Sequence, residues 1–539
     1  MGSHAHDPNV VEHQGMAEHG LEEQNRRRPA LDWALRLLGV AVALTVWFLL
    51  GAADMSPDAR MVAAIVSLMA IWWMTEAIPL SATALLPIIL FPMLTDMSVG
   101  DATGPYANPI VFLFLGGFLI AIAMQKWNLH RRIALLTLRT VGTKPKQIIL
   151  GMMISTAFLS MWVSNTATTL MMLPIAMSVL TLVIERSMGD GDGAAKAGEM
   201  IQSGEKITDV VRDEEVKTFG VALILSIAWA SSIGGLGTLL GSPPNAIVAG
   251  YISTELGRQI GFLQWMQLAL PIVVVFIGIA WFVITHLVYR FKLDEIPGGK
   301  QMIQGQIDEL GPMSRGEITV GVVFVGAATC WVLPGLVEEF LPGVIAVLPW
   351  LAEFNDTVIA IAAGLIMFFL PGDKDGRRVL EWDDAENGLP WGVLLLFGGG
   401  LSLAGAVAST GLDEWFGSQV TGLGVLPTFL LVGAVVGIIL MLTEITSNTA
   451  TAATFIPILG GVALGIGVDP MLLLIPAALA ATCAFMLPVG TPPNAIVFGT
   501  GVVTIGQMIK GGIWLNIIGI ILITCFTYLL GGWAFGMVF

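Results

Sequence analysis

The sequence is poor in charge: Asp, Glu, Lys and Arg make up 12% of its 539 residues, whereas hydrophobic residues make up 55%. Soluble domains carry about 25% charged residues, so this composition excludes a soluble globular protein. Continuous apolar runs of about 20 residues, long enough to cross a bilayer as helices, recur from Leu31 to the C-terminus. These runs do not alternate with a period of two, as strands of an outer-membrane barrel do. The sequence therefore predicts an all-α polytopic membrane protein.

Residues that carry enzyme chemistry are scarce as well. The three cysteines lie far apart in apolar runs, and four of the six histidines lie in the polar first 30 residues. The sequence has no His, Cys and Asp cluster with metal-ligand spacing, no nucleophile elbow and no phosphate-binding loop. We therefore expect no enzyme, no organic cofactor, no transition metal and no nucleic-acid partner. Residues 1–30 are expected to form a disordered cytoplasmic segment.

The apolar runs predict eleven transmembrane helices. They lie at residues 31–52, 60–75, 78–94, 109–124, 218–250, 265–290, 316–337, 352–371, 391–409, 471–505 and 512–538. Two further apolar segments, 147–184 and 426–464, are too long for one crossing. Each contains Ser-Asn-Thr near its middle, so each is predicted to be a re-entrant hairpin that enters and leaves by the same face.

The basic residues orient this threading. With a cytoplasmic N-terminus, only Arg60 and Arg258 among the 25 Lys and Arg fall on external segments. The segment 126–146 carries six of these cations, whereas its counterpart 410–425 carries none. This asymmetry satisfies the positive-inside rule and predicts an external C-terminus.

Three short motifs occur twice in the same order. "FLGGF" at 114–118 matches "LFGGG" at 396–400, and Ser-Asn-Thr recurs 283 positions apart. "GSPPNAIV" at 241–248 matches "GTPPNAIV" at 490–497, only 249 positions apart, because a polar loop at 185–217 exists in the first half alone. The matched segments have opposite predicted orientations, which indicates an inverted-repeat transporter.

The two Ser-Asn-Thr triplets predict a helix break inside each hairpin. Ser, Thr and Asn compete with backbone hydrogen bonding, so they favour caps and turns over helix interiors. A half-helix that begins there directs its first N–H groups and its positive dipole end towards the turn. Hydroxyls and a carboxamide add further donors, and such a cradle suits a carboxylate or a similar oxyanion.

The two Pro-Pro-Asn motifs predict a complementary break in each of two spans. Pro243 and Pro492 suit the first position of a new half-helix, with Ser242 and Thr491 as caps. A glycine precedes each cap, and we expect it to adopt unusual dihedrals that free carbonyl groups. Carbonyl, hydroxyl and amide oxygens together suit Na⁺, and irregular backbone at this depth needs a polar cavity.

Charge within the membrane is limited to a few candidates, chiefly Glu76 and Glu444. The first-half position that matches Glu444 is Met161, so we expect Glu444 to act in structural hydrogen bonding rather than in ion coupling. The glycines at 116–117 and 398–400 are expected to allow close helix packing.

The paired Ser-Asn-Thr hairpins and Pro-Pro-Asn breaks resemble the divalent anion/sodium symporter (DASS) family, from Leu31 to Phe539. "WWMTEAIPLSATALLPIILFP" and "FMLPVGTPPNAIVFG" are also similar to that family. The resemblance implies a homodimeric elevator carrier in the bacterial inner membrane. It implies scaffold parts at 31–124 and 316–409, interfacial linkers at 125–146 and 410–425, a cytoplasmic loop at 291–315, and transport-domain parts at 147–290 and 426–539.

The resemblance also implies binding residues. The first sodium site would use Ser160, Ser164, Asn165 and Gly241, and the second would use Thr443, Ser447, Asn448 and Gly490. The substrate carboxylates would contact Ser164, Asn165, Thr166, Ser447, Asn448, Thr449 and Pro492. The implied function is sodium-coupled import of four-carbon dicarboxylates such as succinate, malate and fumarate, with Na⁺ as the coupling ion.

Three alternatives remain open at this stage. Sodium-independent exchange of one dicarboxylate for another would use the same cradle, and citrate or sulfate could be the substrate. A cation/proton antiporter can also have broken inverted helices, but it usually carries an acidic residue at the breaks, where this chain has Asn.

Overall fold

The computed structural model describes residues 29–142, 144–188, 207, 211–293, 299–340, 355–374, 376–419 and 426–539. Regular structure in these residues is helical, apart from an isolated bridge between Pro371 and Arg378. The predicted all-α class is therefore confirmed. The expected disorder of 1–30 lies outside the described residues except for Pro29 and Ala30, which already belong to a helix. Most of the polar loop 185–217 and the end of the linker 410–425 also lie outside them.

The helices before the first hairpin follow the predicted spans, one of which has a short interruption. They are α1 (Pro29–Leu49), α2 (Pro57–Thr75), α3 (Leu80–Thr83), α4 (Leu86–Leu94), α5 (Val99–Thr103) and α6 (Pro109–Lys126). The single span expected at 78–94 is interrupted between α3 and α4. Pro87 has no N–H to continue the helical ladder, and the Tyr106 hydroxyl donates to the carbonyl of Ala84. A backbone bend therefore replaces one turn of helix.

The first hairpin and the first broken helix follow an amphipathic helix, α7 (Leu129–Val141). The hairpin consists of α8 (Pro145–Ser160) and α9 (Asn165–Met188); the broken helix consists of α10 (Glu214–Gly234) and α11 (Pro243–Glu255). The next helix, α12 (Phe262–Phe282), continues as a π-helical turn at Val283–Val288. We call residues 161–164 the first hairpin turn and residues 235–242 the first break.

The second half repeats this order. It contains α13 (Gly299–Leu310), α14 (Arg315–Phe340), α15 (Asp356–Phe369), α16 (Trp382–Gly388), α17 (Trp391–Ser409) and α18 (Leu412–Gln419). The second hairpin is α19 (Thr428–Thr443) with α20 (Asn448–Ile466), the second broken helix is α21 (Met471–Thr482) with α22 (Pro492–Gly499), and α23 (Ile505–Phe535) ends the fold. We call residues 444–447 the second hairpin turn and residues 483–491 the second break.

The repeat extends to details that the motifs did not indicate. Pro174 lies inside α9 and Pro457 lies inside α20, again 283 positions apart. The predicted close packing at the glycine pairs is also present. A Cβ added to Gly116 would come within 2.4 Å of the Ala360 backbone, and one on Gly399 within 2.5 Å of the Ala84 carbonyl oxygen. Only glycine fits where these helices touch.

Ten helices of the described part are long and apolar enough to cross a membrane. The predicted count of eleven spans with two hairpins, and its orientation, remain predictions. Burial separates the helices into layers: the most apolar stretch of α10 is 89% buried, whereas that of α1 is 6% buried. The broken helix α10–α11 therefore lies in the core, and α1 presents an apolar face to its surroundings.

Candidate functional site

Both Ser-Asn-Thr triplets lie at the turn between the helices of a hairpin. The first hairpin turn ends at Ser164, and Asn165 and Thr166 open α9. The second turn ends at Ser447, whose extended backbone caps α20, and Asn448 and Thr449 open that helix. The predicted helix breaks are therefore confirmed. The new half-helices direct their first N–H groups towards each turn, as an anion site requires.

Both Pro-Pro-Asn motifs interrupt their helices where predicted, and the asparagine stabilises the break. Asn245 Nδ2 donates to the carbonyls of Gly235, at 2.9 Å, and Thr238, at 2.8 Å. In the second half Asn494 Nδ2 donates to the corresponding carbonyls, at 3.1 and 3.0 Å. Each carboxamide thereby bridges the two ends of an unwound stretch of four residues, where regular helical hydrogen bonding is interrupted.

Two details of the predicted breaks are wrong. Ser242 and Thr491 occupy the cap positions, but their side chains make no capping hydrogen bond. The first two residues of each half-helix are prolines and have no N–H to be capped. The next N–H group, of Asn245 or Asn494, donates to the backbone carbonyl of the cap residue instead.

The glycines before these caps have negative φ, so the expected unusual dihedrals are also wrong. The close approach of another backbone segment explains the glycine at 241. A Cβ on Gly241 would lie 2.6 Å from the carbonyl oxygen of Gly235, whereas one on Gly490 would lie 3.0 Å from its nearest neighbours. The glycine requirement is therefore strict in the first half and weaker in the second.

Oxygen atoms converge around the carboxamide of Asn165. One end of this carboxamide, which we call its inner end, lies 2.7 Å from Ser160 Oγ, 3.1 Å from the carbonyl oxygen of Ser231 and 3.2 Å from that of Gly241. Asn165 and Ser160 are buried. We call this group the first oxygen cluster. It contains three of the four residues predicted for the first sodium site, and Ser164 adjoins it in sequence.

A second oxygen cluster surrounds Asn448 with matching geometry. The inner end of its carboxamide lies 2.7 Å from Thr443 Oγ1, 3.0 Å from the carbonyl oxygen of Ala481 and 3.1 Å from that of Gly490. Thr443, Asn448 and Gly490 correspond to Ser160, Asn165 and Gly241 of the first cluster. The second cluster thus brings together three of the four residues predicted for the second sodium site, and Ser447 adjoins it.

The carboxamide can present either end to these oxygens. With its nitrogen inward, its two N–H groups donate to two of these three oxygens. With its oxygen inward, four neutral oxygens lie together, three of them within 3.2 Å of the carboxamide oxygen, and oxygen atoms of this kind are the ligands of hard cations. Half-helix ends and unwound carbonyls serve this purpose in transporters with broken helices. The residues present therefore fit a sodium ion.

The two carbonyls of Ser231 and Ala481 were not predicted. They belong to the last turn of the helix that precedes each break. The Ser231 carbonyl also accepts from the N–H of Gly235, and the Ala481 carbonyl accepts from the Thr443 hydroxyl. Their side chains differ, Ser in one half and Ala in the other. Their spacing differs as well, since Ser231 lies 12 positions before Pro243 and Ala481 lies 11 positions before Pro492. The sequence carried no signal for them, because a backbone ligand leaves no mark on residue type.

The structure brings the two halves together at these motifs. Helix α9 of the first hairpin packs on α22, and α20 of the second hairpin packs on α11. Ser242 Oγ in the first break lies 3.0 Å from Thr482 Oγ1 at the end of α21. Ser164, Thr166, Ser447 and Thr449 are half-buried and Pro492 is exposed. The predicted substrate residues therefore lie on segments that meet in the core and retain accessible surface.

The two acidic candidates have different settings. Glu76 is exposed and takes a left-handed conformation at the end of α2, so it is not a buried charge. Glu444 is 1% exposed and accepts hydrogen bonds from three backbone N–H groups and from Asn516. The expected structural hydrogen bonding of Glu444 is confirmed. No group of His, Cys, Asp and Glu that could hold a transition metal occurs in the described ranges.

Known proteins resemble this chain over most of its length. Residues 30–537 match the family model described as the sodium:sulfate symporter transmembrane region. The sodium-dependent dicarboxylate transporter SdcS of Staphylococcus saprophyticus is 39% identical over 496 residues, which cover 92% of this chain and 90% of that protein. SdcS of Staphylococcus aureus is 40% identical and covers 91% and 90%, respectively.

A solved structure has a related fold. The YdaH transporter of Alcanivorax borkumensis aligns with 87% of this chain and 99% of its own, with a TM-score of 0.51 and 13% sequence identity. At this identity the likeness concerns the fold alone. The relatives by sequence are transporters rather than enzymes, as the sequence predicts. The chain belongs to the sodium:sulfate symporter family, the divalent anion/sodium symporters that its paired motifs resemble.

Proposed function

We propose that this protein is a sodium-coupled importer of four-carbon dicarboxylates such as succinate, malate and fumarate. The observation that carries the proposal is the matched pair of oxygen clusters around Asn165 and Asn448. Two equivalent sites of neutral oxygens suit two sodium ions. Relatives about 40% identical over most of the chain are named sodium-dependent dicarboxylate transporters, which supports the same ion and the same substrate class.

In the proposed site, each cation binds at a hairpin turn and its neighbouring break. The ligands of the first ion are Ser160, Ser164, Asn165 and the carbonyl of Gly241, with the Ser231 carbonyl added by its position. Those of the second are Thr443, Ser447, Asn448 and the carbonyl of Gly490, with the Ala481 carbonyl added in the same way. Each ion holds the carboxamide oxygen inward and ties a hairpin to a broken helix.

The dicarboxylate binds between the two hairpin turns. One carboxylate is held by Ser164, Asn165 and Thr166, and the other by Ser447, Asn448, Thr449 and Pro492. The half-helix N-termini direct N–H groups at these oxygens. Without the cations, the dianion would meet neutral dipoles alone, and its desolvation would be poorly offset. Sodium therefore binds first and prepares the site for the anion.

The movement that we propose is an elevator. The scaffold consists of 31–124 and 316–409, and the transport domain consists of 147–290 and 426–539, with a homodimer as the working assembly and the N-terminus in the cytoplasm. The hairpins and broken helices pack on each other across the two halves, which supports their movement as one body.

Uptake by reconstituted vesicles tests the proposal. We expect [¹⁴C]succinate to accumulate when a sodium gradient points inward and not when choline replaces sodium. Asn165→Ala should abolish this uptake, and Asn387→Ala, the same change at an exposed asparagine, should leave it intact. Exchange of internal for external succinate without sodium would instead show a sodium-independent exchanger, and the proposal would be wrong.

A thermal-shift panel identifies the substrate. A ligand that binds only the folded state raises the melting temperature in proportion to the logarithm of its concentration over its Kd. We expect sodium alone to stabilise the protein, and succinate to add a further shift only when sodium is present. Citrate, sulfate and aspartate serve as competitors, and a larger shift with one of them would reassign the substrate.

A further inference from the structure

Glu444 is a buried carboxylate whose hydrogen bonds all point into the second broken helix and α23. Its Oε1 accepts from the N–H of Phe485 at 2.7 Å, and its Oε2 accepts from that of Leu487 at 3.1 Å. The N–H of Met486 lies within 3.1 Å of both oxygens, and Asn516 Nδ2 donates to Oε1 at 2.8 Å. Hydrogen bonds of this charge-assisted kind are about twice as strong as neutral ones.

The three N–H groups are consecutive residues of the second break. This stretch is also held by Trp229 Nε1, which donates to the Phe485 carbonyl at 2.9 Å. A Cβ on Gly512 of α23 would lie 2.4 Å from the same carbonyl oxygen, so the two backbones touch. Glu444 therefore supplies the hydrogen bonds of the break from the side of the second hairpin.

The first break is held in another way. The position that matches Glu444 is Met161, which contributes only a backbone carbonyl as acceptor for the Thr238 hydroxyl. The N–H groups that match those of Phe485 and Met486 donate within the chain, from Leu236 to the carbonyl of Ile233 and from Gly237 to that of Gly234. These two N–H groups of the first break are thus satisfied by the last turn of α10, whereas their counterparts in the second break donate to a side chain of the hairpin turn.

Glu444 also adjoins the second oxygen cluster. It follows Thr443, whose hydroxyl lies 2.7 Å from the Asn448 carboxamide oxygen and donates to the Ala481 carbonyl at 2.8 Å. A Cβ on Gly490 would lie 3.0 Å from the backbone oxygens of both Thr443 and Glu444. The hairpin turn and the break therefore contact each other at the cluster and, through Glu444, beside it.

We propose that Glu444 is a positioning residue that holds the second sodium site in shape before sodium binds. It does not bind the ion itself, since the N–H donors and Asn516 already occupy its carboxylate. The first site has no such clamp and takes its final shape when sodium binds. This inference rests on the proposed function for its ion, and on the hydrogen bonds alone for its structural part.

Hydrogen exchange and uptake together test the inference, with Glu444→Gln as the main variant. A glutamine keeps the shape but presents one NH₂ group where a carboxylate oxygen accepted. In sodium-free buffer we expect the amides of 485–487 to exchange at least about tenfold faster, the factor that corresponds to one lost charge-assisted hydrogen bond. The sodium concentration for half-maximal succinate uptake should rise by a similar factor, while exchange at 235–238 stays unchanged.

Asn516→Leu and Thr527→Val complete the test. Asn516→Leu leaves the Glu444 carboxylate in place and removes one of its donors. It should therefore change amide exchange at 485–487 and the sodium dependence of uptake in the same direction, by a smaller factor. It also serves as the main variant should Glu444→Gln fail to fold. Thr527, buried on the same helix, donates only along its own helix to Ile523, so Thr527→Val should match the wild type.

Two results would overturn the inference. Unchanged exchange at 485–487 in Glu444→Gln would show that the clamp does not hold the break. Loss of uptake in Glu444→Gln together with wild-type behaviour of Asn516→Leu would show that the charge acts directly on the ion. Wild-type uptake that ignores sodium would instead refute the proposed function, and the exchange data would still decide the structural part.

Discussion

In the first half of the chain, the break at 235–242 is tied to its hairpin turn by one hydroxyl, which Thr238 donates to the Met161 carbonyl. In the second half, the break at 483–491 is tied to its hairpin turn by the Glu444 carboxylate, which accepts from three successive N–H groups. The asparagines that face the oxygen clusters have nearly the same distances in both halves. The repeat therefore preserved the atoms of the two clusters and allowed the groups that support them to diverge.

The helices α7 and α18, which precede the two hairpins, differ in the same way. In the first half, α7 is joined to α14 by a buried ion pair in which Arg132 Nε lies 2.7 Å from Glu317 Oε1. In the second half, α18 packs directly on α20, and a Cβ on Gly465 would lie 2.0 Å from Gly417. Helix α7 is therefore held by an ion pair, and its counterpart α18 is held by close backbone contact.

The largest effect is expected where the halves agree. Asn245→Leu and Asn494→Leu each remove the donor to two carbonyls of a break, at about 1–3 kcal/mol for each buried group left without a partner. We expect both variants to lose sodium-dependent succinate uptake and to melt at lower temperature. Asn387→Leu on the exposed surface is the control. Normal uptake by one of the two variants would show that the breaks are not equivalent.

The next effect concerns helices α7 and α18. Arg132→Met leaves a buried carboxylate without its cation, which costs about 3–5 kcal/mol, whereas the double change Arg132→Met with Glu317→Leu should recover most of that stability. Thermal unfolding in detergent measures both. Arg377→Met is the control, because its ion pair with Asp373 is exposed at the arginine and such pairs contribute at most about 1 kcal/mol. Equal losses in the two single variants would contradict a special role of the buried pair.

A smaller effect separates the two glycines. A methyl group on Gly241 would lie 2.6 Å from a backbone oxygen, whereas one on Gly490 has 3.0 Å to its nearest neighbours. Overpacking of the first kind costs about 1–3 kcal/mol, so Gly241→Ala should reduce sodium-dependent uptake at least about fivefold more than Gly490→Ala. Sodium activation curves for the two variants provide the comparison. A greater loss in Gly490→Ala would reverse the assignment of the tighter site.

Much of this arrangement could be predicted from the sequence. The hairpin turns and breaks follow from local chemistry, since two successive prolines at 243–244 and at 492–493 deprive a continuing helix of two N–H groups and Ser-Asn-Thr favours a turn. The bend at Ala84 could not be predicted, because it depends on Tyr106 more than 20 residues later. The same holds for Asn516, which reaches Glu444 from another helix.

The reason for the glycines was also beyond sequence reasoning. A glycine before a proline motif can serve an unusual dihedral or a close approach, and both produce the same residue type. Only the distance from Gly241 to Gly235 separates them. The asymmetry of Glu444 against Met161 was visible in the sequence, but its meaning needed the three N–H groups that lie about 40 residues away.

The smallest effect tests the asymmetry most directly. Thr238→Val keeps the shape of the side chain and removes the hydroxyl that binds the Met161 carbonyl, a neutral hydrogen bond that contributes about 1 kcal/mol. Since the N–H groups of Leu236 and Gly237 in the first break donate to backbone carbonyls, we expect only a several-fold rise in the sodium concentration for half-maximal uptake. Thr527→Val again serves as the control for the substitution itself. A shift as large as that of Glu444→Gln would mean that the first break depends on its single hydroxyl as strongly as the second break depends on its carboxylate. The two breaks would then differ in the residues that hold them but not in how firmly they are held.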